Sequence, residues 1–239
     1  MRLLIVIFLF LSTCLAHAQV RDAKAEFAIL SKKYSGEKPL ELSMHYRLFA
    51  NHSIQIAAES YPAQLLIYRN NSVFTVGGIK NIKLHNVYME IDSADQSIVY
   101  SKQNIKKNTQ VIMLTLDSLM KYFIAGPVKP LSNNGFKVSL FPNTAKYGDN
   151  DIEKMEIYYT NTYQILRTVI FYETEMDINN EGKIGQPPRI EVSYSSLKPL
   201  PSKLLPLLHE SYYVFSRKGK IMPSANFKDF KVIDTRYTN

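Results

Sequence analysis

Leu40-Glu41-Leu42-Ser43-Met44-His45-Tyr46-Arg47-Leu48 decides the fold. Leu40, Leu42, Met44, Tyr46 and Leu48 alternate with Glu41, Ser43, His45 and Arg47. Period two with one apolar face predicts a half-buried strand, the kind found in antiparallel sheets with one wet side. The pattern recurs down the chain. Ile54 and Ile56 open a second stretch running to Tyr61, and Leu65 to Tyr68 and Val73 to Val76 form a pair turning at Asn70-Asn71. Val87, Met89 and Ile91 pass through Asp92-Ser93-Ala94-Asp95-Gln96 to Ser97-Ile98-Val99-Tyr100, a hairpin with a polar loop. Phe136 to Phe141, Met155 to Thr160, Gln164 to Glu173, Arg189 to Tyr194, Tyr212 to Ser216 and Phe227 to Ile233 read as further strands. Gly77-Gly78 breaks the pattern, and Gly219 is read as the turn between the last two strands.

Two segments change period. Ala23, Phe27, Leu30 and Tyr34 recur at helical spacing, ended by Ser35-Gly36 and Pro39. Leu116, Leu119, Met120 and Phe123 share one face of a second helix expected over Leu116 to Ile124, stopped by Gly126-Pro127. Leu197 to Leu208 carries Pro199, Pro201 and Pro206 and reads as a loop or crossing connection. The expectation is a mainly β (α+β) chain, a curved antiparallel sheet with few helices. Some strands, such as Ile165 to Tyr172, are apolar on both faces. A curved sheet of this kind has more apolar surface than one helix layer covers, so the surplus must face another sheet, a partner or a ligand.

The chain has 239 residues, 46% hydrophobic and 21% charged. That composition excludes disorder, collagen and a multi-span membrane protein, and the length suffices for a core without staples. Residues 1–18 read as a secretory signal: Arg2, then the apolar run Leu3 to Leu11, too short to span a bilayer, then Ala16-His17-Ala18 before a cut at Gln19. Residues 19–239 are read as one domain, since no linker or repeat divides them. Leu11-Ser12-Thr13-Cys14 offers a lipid anchor at Cys14 as the lesser alternative, with Thr13 where Gly, Ala or Ser is usual. Cleavage after Ala18 would remove the single cysteine, leaving no disulfide or thiol chemistry. A chain of this size that relies on its core suits the periplasm or another exported location.

Catalytic signatures are absent: no G-x-S-x-G, P-loop or G-x-G-x-x-G occurs. His209-Glu210-Ser211-Tyr212-Tyr213 starts like a zinc-protease motif, but Tyr213 stands where the second histidine is required. His45, on the polar face of its strand, has no ligand partner at suitable spacing. Glu173, Glu175 and Asp177 would share one strand face and offer a calcium-assisted hydrolase, against the plainer reading of a polar strand end. Asp149-Asn150-Asp151 lacks the rest of an EF-hand loop and reads as a turn. The net charge of +8 is dispersed over Lys80 and Lys83, Lys106 and Lys107, and Arg217, Lys218 and Lys220. Nucleic-acid binders concentrate such charge around aromatic platforms, so no nucleic-acid partner is expected. Neither a cofactor nor a metal is implied. Asn51-His52-Ser53 and Asn70-Asn71-Ser72 fit the glycosylation sequon by chance spacing.

Three passages resemble the periplasmic lipoprotein-carrier family of LolA-like and LolB-like proteins. They are Tyr88 to Asp92 through Ile98 to Tyr100; Gly135 to Phe141 before Pro142; and Ile152 to Ile157 through Leu166 to Phe171, followed by Ile190 to Tyr194. The likeness is one of pattern over most of the chain after the signal. It implies an unclosed half-barrel whose helices plug the concave side around an apolar cavity, which holds acyl chains in relatives. The family's lid-locking arginine matches no residue here. The leading expectation is therefore a non-enzymatic binding protein that shields an acyl chain or other apolar ligand. The wall positions expected from the residues are Leu42, Met44, Tyr46, Leu48, Met89, Ile91 and Val99. The alternative is a cell-envelope interaction or structural module with a self-filled cavity and a protein partner, with envelope proteins or a membrane surface as further partners of either.

Overall fold

The computed structural model describes residues 21–102, 116–147, 151–175, 186–195 and 197–236; the signal segment with Cys14, and Asp149, Asn150 and Asp177, lie outside them. Helix α1 (Ala23–Lys33) precedes strands β1 (Leu40–Phe49), β2 (Glu59–Tyr68), β3 (Asn71–Val76), β4 (Ile79–Leu84), β5 (Val87–Asp92) and β6 (Ser97–Lys102). Then come α2 (Leu116–Tyr122), β7 (Phe123–Ala125), β8 (Lys129–Pro130), β9 (Gly135–Pro142), α3 (Thr144–Tyr147), β10 (Ile152–Thr160), β11 (Ile165–Tyr172) and β12 (Arg189–Tyr194). The C-terminal segment holds β13 (Lys198–Pro199), 3-10 helices at Ser202–Leu208 and Glu210–Tyr212, β14 (Val214–Arg217), β15 (Lys220–Pro223), a 3-10 turn at Ala225–Phe227 and β16 (Lys231–Asp234).

Twelve strands follow one another as β16-β6-β5-β4-β3-β2-β1-β12-β11-β10-β9-β7, with β13 beside β1 and β8 beside β9. Among the described residues the two end strands do not pair, so the large curved sheet stays unclosed, as the resemblance to lipoprotein carriers implied; the antiparallel strands are those the alternation predicted. Every pairing in it is antiparallel except β16 on β6. The chain reverses on itself between β1 and β12, where Met44 faces Tyr194 and Leu48 faces Ile190.

Paired residues share a face, so the register sorts every side chain. Leu42 pairs with Leu65 and Leu65 with Phe74; Tyr46 pairs with Val192, Val192 with Thr168, and Thr168 with Ile157. This inner face receives α1 and α2. Phe27 and Leu30 of α1 and Leu119 of α2 bury against Val138, Leu140, Met155, Ile157 and Ile170. Glu41 pairs with Leu66, Leu66 with Val73, Val73 with Ile82, and Ile82 with Met89. That is the opposite, outer face, and in β2 to β6 it is also dry. Leu200, Leu208, Tyr213, Val214, Ile221 and Phe227 of the C-terminal segment cover it. β2 and β3 are consequently buried on both sides: Leu65 and Leu66, and Val73 and Phe74, are adjacent and all under one-tenth exposed.

Several boundaries differ from the sequence reading for local reasons. The strand expected from Ile54 begins at Glu59, because the Asn51 side-chain carbonyl accepts the backbone N–H of Ser53 and Ile54 and turns the chain. Gly77 and Gly78, both at positive φ, form the two-residue turn of a hairpin into β4, a strand not anticipated. The second helix stops at Tyr122, and Phe123–Ala125 pairs with the edge of β9 instead. The Pro-rich stretch is not an open loop: Lys198–Pro199 pairs with β1 as the short strand β13. Leu200 N–H donates to Pro39 O beside β1, and a 3-10 helix follows. Gly219 turns β14 into β15, not into the segment at Phe227, whose ring is buried in a 3-10 turn.

Helix α1 is fixed at both ends. Asp22 caps its start, accepting from Lys24 N–H. The Glu26 carboxylate is buried and accepts from Arg21, from Tyr159 hydroxyl at 2.9 Å and from Tyr163 hydroxyl at 3.4 Å, while the Arg21 guanidinium lies over the Phe136 ring. At the other end Gly36 takes φ +72°, and a Cβ there would lie 2.4 Å from Ile67 Cγ2. Only glycine lets the chain leave the helix so close to β2.

Candidate functional site

A partly open cavity of about 760 Å³ lies on the inner face, between the helix-covered half of the sheet and β2 to β4. Its walls come from seven strands, from Ser31 of α1 with Tyr34 and Ser35 just after it, and from Leu119 of α2. Leu42, Met44 and Tyr46 of β1, Leu65 and Ile67 of β2, and Phe74 of β3 form one side; Met155, Ile157, Ile165, Thr168 and Tyr194 form the other, with Tyr34 and Leu119 above. The helices pack on Met155 and Ile157, but α1 stops at Lys33 and neither α1 nor α2 joins the cluster of Leu42, Met44, Leu65 and Phe74, so the space beside these residues stays open.

The hydroxyl groups on these walls are neutral, and the charged residues of the lining, Arg69 and Lys83, come from the β2–β3 turn and the end of β4. Tyr34 hydroxyl oxygen accepts the backbone N–H of Ile165 at 2.9 Å, and Tyr194 donates to Thr168 Oγ1 at 3.2 Å. Burial pushes the ionisation of Tyr34, Tyr46 and Tyr194 upward, so all three remain uncharged hydroxyls near neutral pH. The Tyr46 ring meets Phe74 edge-on at 5.9 Å and closes one wall. Such a lining can enclose an apolar chain and offer it a few hydroxyl contacts.

The expected wall positions divide between the two faces. Leu42, Met44 and Tyr46 line the cavity. Leu48 lies on the same inner face, one pair further along β1 opposite Ile190, and is not among the lining residues. Met89 and Ile91 are fully buried on the outer face, packed in the core beneath the C-terminal segment. The pairing of Ile82 with Met89 and of Val73 with Ile82 puts them there. Val99 pairs with Glu90 and Glu90 with Asn81, which places it on the inner face of β6 but away from the cavity. The wall from β2, β3 and β10 to β12 was not singled out. The double-sided runs Leu65-Leu66-Ile67 and Val73-Phe74 are the signal that would have found part of it.

The other candidates sit elsewhere. Glu173 and Glu175 are exposed beyond the end of β11, where Thr174 hydroxyl donates to Asp151 and ties down the bend. Among the described residues no three potential metal ligands converge. His45 is exposed, its Nε2 at 3.0 Å from Ser60 hydroxyl. Tyr213, in the place of the missing zinc histidine, is wholly buried and donates to Leu207 O. Among the described residues no helix is long and apolar enough to cross a membrane.

Neither a protein-family model nor a curated protein matches the sequence. Solved structures do. The chain is similar to an uncharacterized conserved protein from Thermus thermophilus at 11% identity and TM-score 0.48, over 89% of this chain and 99% of that one. It is similar to a LolA superfamily protein from Nitrosomonas europaea at 12% identity and TM-score 0.36, over 80% and 99%. The Mycobacterium tuberculosis lipoprotein LppX shares 9% identity at TM-score 0.34, over 75% and 99%. These likenesses assign no ligand to this chain.

Proposed function

We propose that this protein is an exported, non-enzymatic binding protein that shelters an acyl chain or similar apolar group in the inner-face cavity. The observation that carries the reading is the cavity itself: an apolar, partly open space of about 760 Å³ that neither helix fills. Residues 1–18 act as the removed export signal and residues 19–239 as one binding domain, in the periplasm or an equivalent exported space. Each sequestered CH₂ contributes about 0.8 kcal/mol, so one chain binds usefully by burial alone. The resemblance to lipoprotein carriers in the sequence pattern agrees with this use of the space.

Native mass spectrometry of the protein from its own host, followed by delipidation and rebinding of a fatty acid, tests the reading. Leu65→Phe and Thr168→Phe add volume to opposite walls, and both should weaken rebinding without unfolding the protein. A delipidated, folded protein that takes up no alkyl chain overturns the proposal.

A further inference from the structure

The cavity has a charged rim at one end only. The tips of two neighbouring hairpins meet there. The β2–β3 turn contributes Arg69, Asn70 and Asn71, and the end of β4 with its turn contributes Lys83, His85 and Asn86. Lys83 pairs with Ser72 and Ser72 with Ile67, so this basic row borders the apolar row of Leu42, Leu65 and Phe74 directly. No carboxylate is among the residues lining the cavity. Among the described residues neither Arg69 nor Lys83 has an acidic partner; the Arg69 guanidinium rests only on the Tyr68 ring, 5.0 Å from its centre. The tip is braced: Arg69 holds φ +54°, its N–H donates to Gly36 O at 2.7 Å, and Asn71 donates its side-chain amide to Leu208 O. The C-terminal end of α1 also borders this mouth, through Ser31 and, just past the helix, Tyr34 and Ser35. A helix C-terminus carries about half a negative charge, well short of offsetting two full cations.

We propose that the ligand is an amphiphile with one anionic oxygen head, carboxylate or phosphate, set at the Arg69–Lys83 rim with its alkyl chain running into the cavity; this rests on the sheltering role above. Two cations on one rim, with no acidic partner among the described residues, attract such a head, and charge-assisted hydrogen bonds fix which way the chain enters. Trimethylammonium heads meet the opposite field.

Displacement of Nile red from the delipidated full chain tests this with dodecanoate, dodecyl phosphate, 1-dodecanol and dodecyltrimethylammonium, each below its micelle concentration. The two anions should bind about tenfold more tightly than dodecanol and the cation least, with the preference shrinking as salt rises. In the double variant Arg69→Asn/Lys83→Gln the preference should vanish while dodecanol affinity stays. Asparagine is chosen because it tolerates the left-handed backbone at position 69, and Lys228→Gln serves as the distant control. Equal binding of all four chains overturns the charged rim and leaves the shelter standing. Inorganic phosphate binding as tightly as dodecyl phosphate overturns the amphiphile in favour of a free-anion site. Failure of every chain to bind removes both proposals.

Discussion

Removing the carboxylate of Glu26 should loosen α1 from the sheet by an amount set by one hydroxyl. Tyr159 is wholly buried and donates to Glu26 Oε2 at 2.9 Å. Glu26→Ala leaves that hydroxyl without an acceptor in a dry place, which costs about 1–3 kcal/mol. Arg21 is one-third exposed and regains water, so its lost ion pair adds less than about 1 kcal/mol. The expected total is about 2–3 kcal/mol, a fall in Tm of roughly 5–10 °C for a chain of this length. Tyr159→Phe alone removes the donor while Glu26 keeps Arg21, and should cost about 1 kcal/mol. The informative measurement is the double variant in urea unfolding followed by circular dichroism. With both partners gone no wholly buried orphan hydroxyl remains, the long bond from half-buried Tyr163 being replaceable by water, so the pair should be less damaging than the two single changes added, by about 1 kcal/mol or more. Additivity within about 0.5 kcal/mol would refute the assignment of Glu26 as the acceptor that holds the helix down.

Alkyl carboxylates of increasing length should bind about fourfold more tightly per added CH₂, from about 0.8 kcal/mol each, until the cavity is full; a slope that never levels would mean the chain lies on an open surface. Gly36→Ala should destabilise by more than about 1 kcal/mol through its positive φ and the contact with Ile67, and weaken chain binding at the adjoining mouth; unchanged thermal melting would contradict that. Met89→Ala should cost about 2–5 kcal/mol yet leave chain affinity alone, because Met89 packs on the outer face; a parallel loss of binding would show the two faces are coupled. Burial also raises the ionisation of Tyr46, Tyr100, Tyr159 and Tyr213 above the ordinary value near 10. The stability they lend is whole below pH 10 and lost as pH climbs above it, so tyrosinate absorbance from these four should appear together with unfolding and not before it.

Much of the sheet was legible because alternation is a local property. Leu42 to Leu48 announces its face two residues at a time, and the hairpin at Val87 to Tyr100 lies where its polar loop says. What the sequence could not reveal was which side of the sheet each alternation faces. Leu42 and Met89 look alike in a strand pattern, yet four successive cross-strand pairings put them on opposite sides, and registers are set by turns such as Gly77-Gly78. The cover on the outer face was equally hidden. Leu200 and Leu208 have no period in common with a strand or an α-helix, because 3-10 turns and prolines place them one at a time. The cavity depends on where α1 ends relative to β2, a distance between segments that no window of sequence contains.

The parallel seating of β16 on β6 bears on the order of assembly. A growing chain finishes β5 and β6 long before Lys231 to Asp234 exist, so the outer backbone of β6 stands open while more than half the polypeptide is still to come. An unpaired strand margin recruits whatever extended peptide is nearest, another copy of the same chain included. The C-terminal residues thus act as a late seal, and a nascent chain has reason to be held by a chaperone until they arrive.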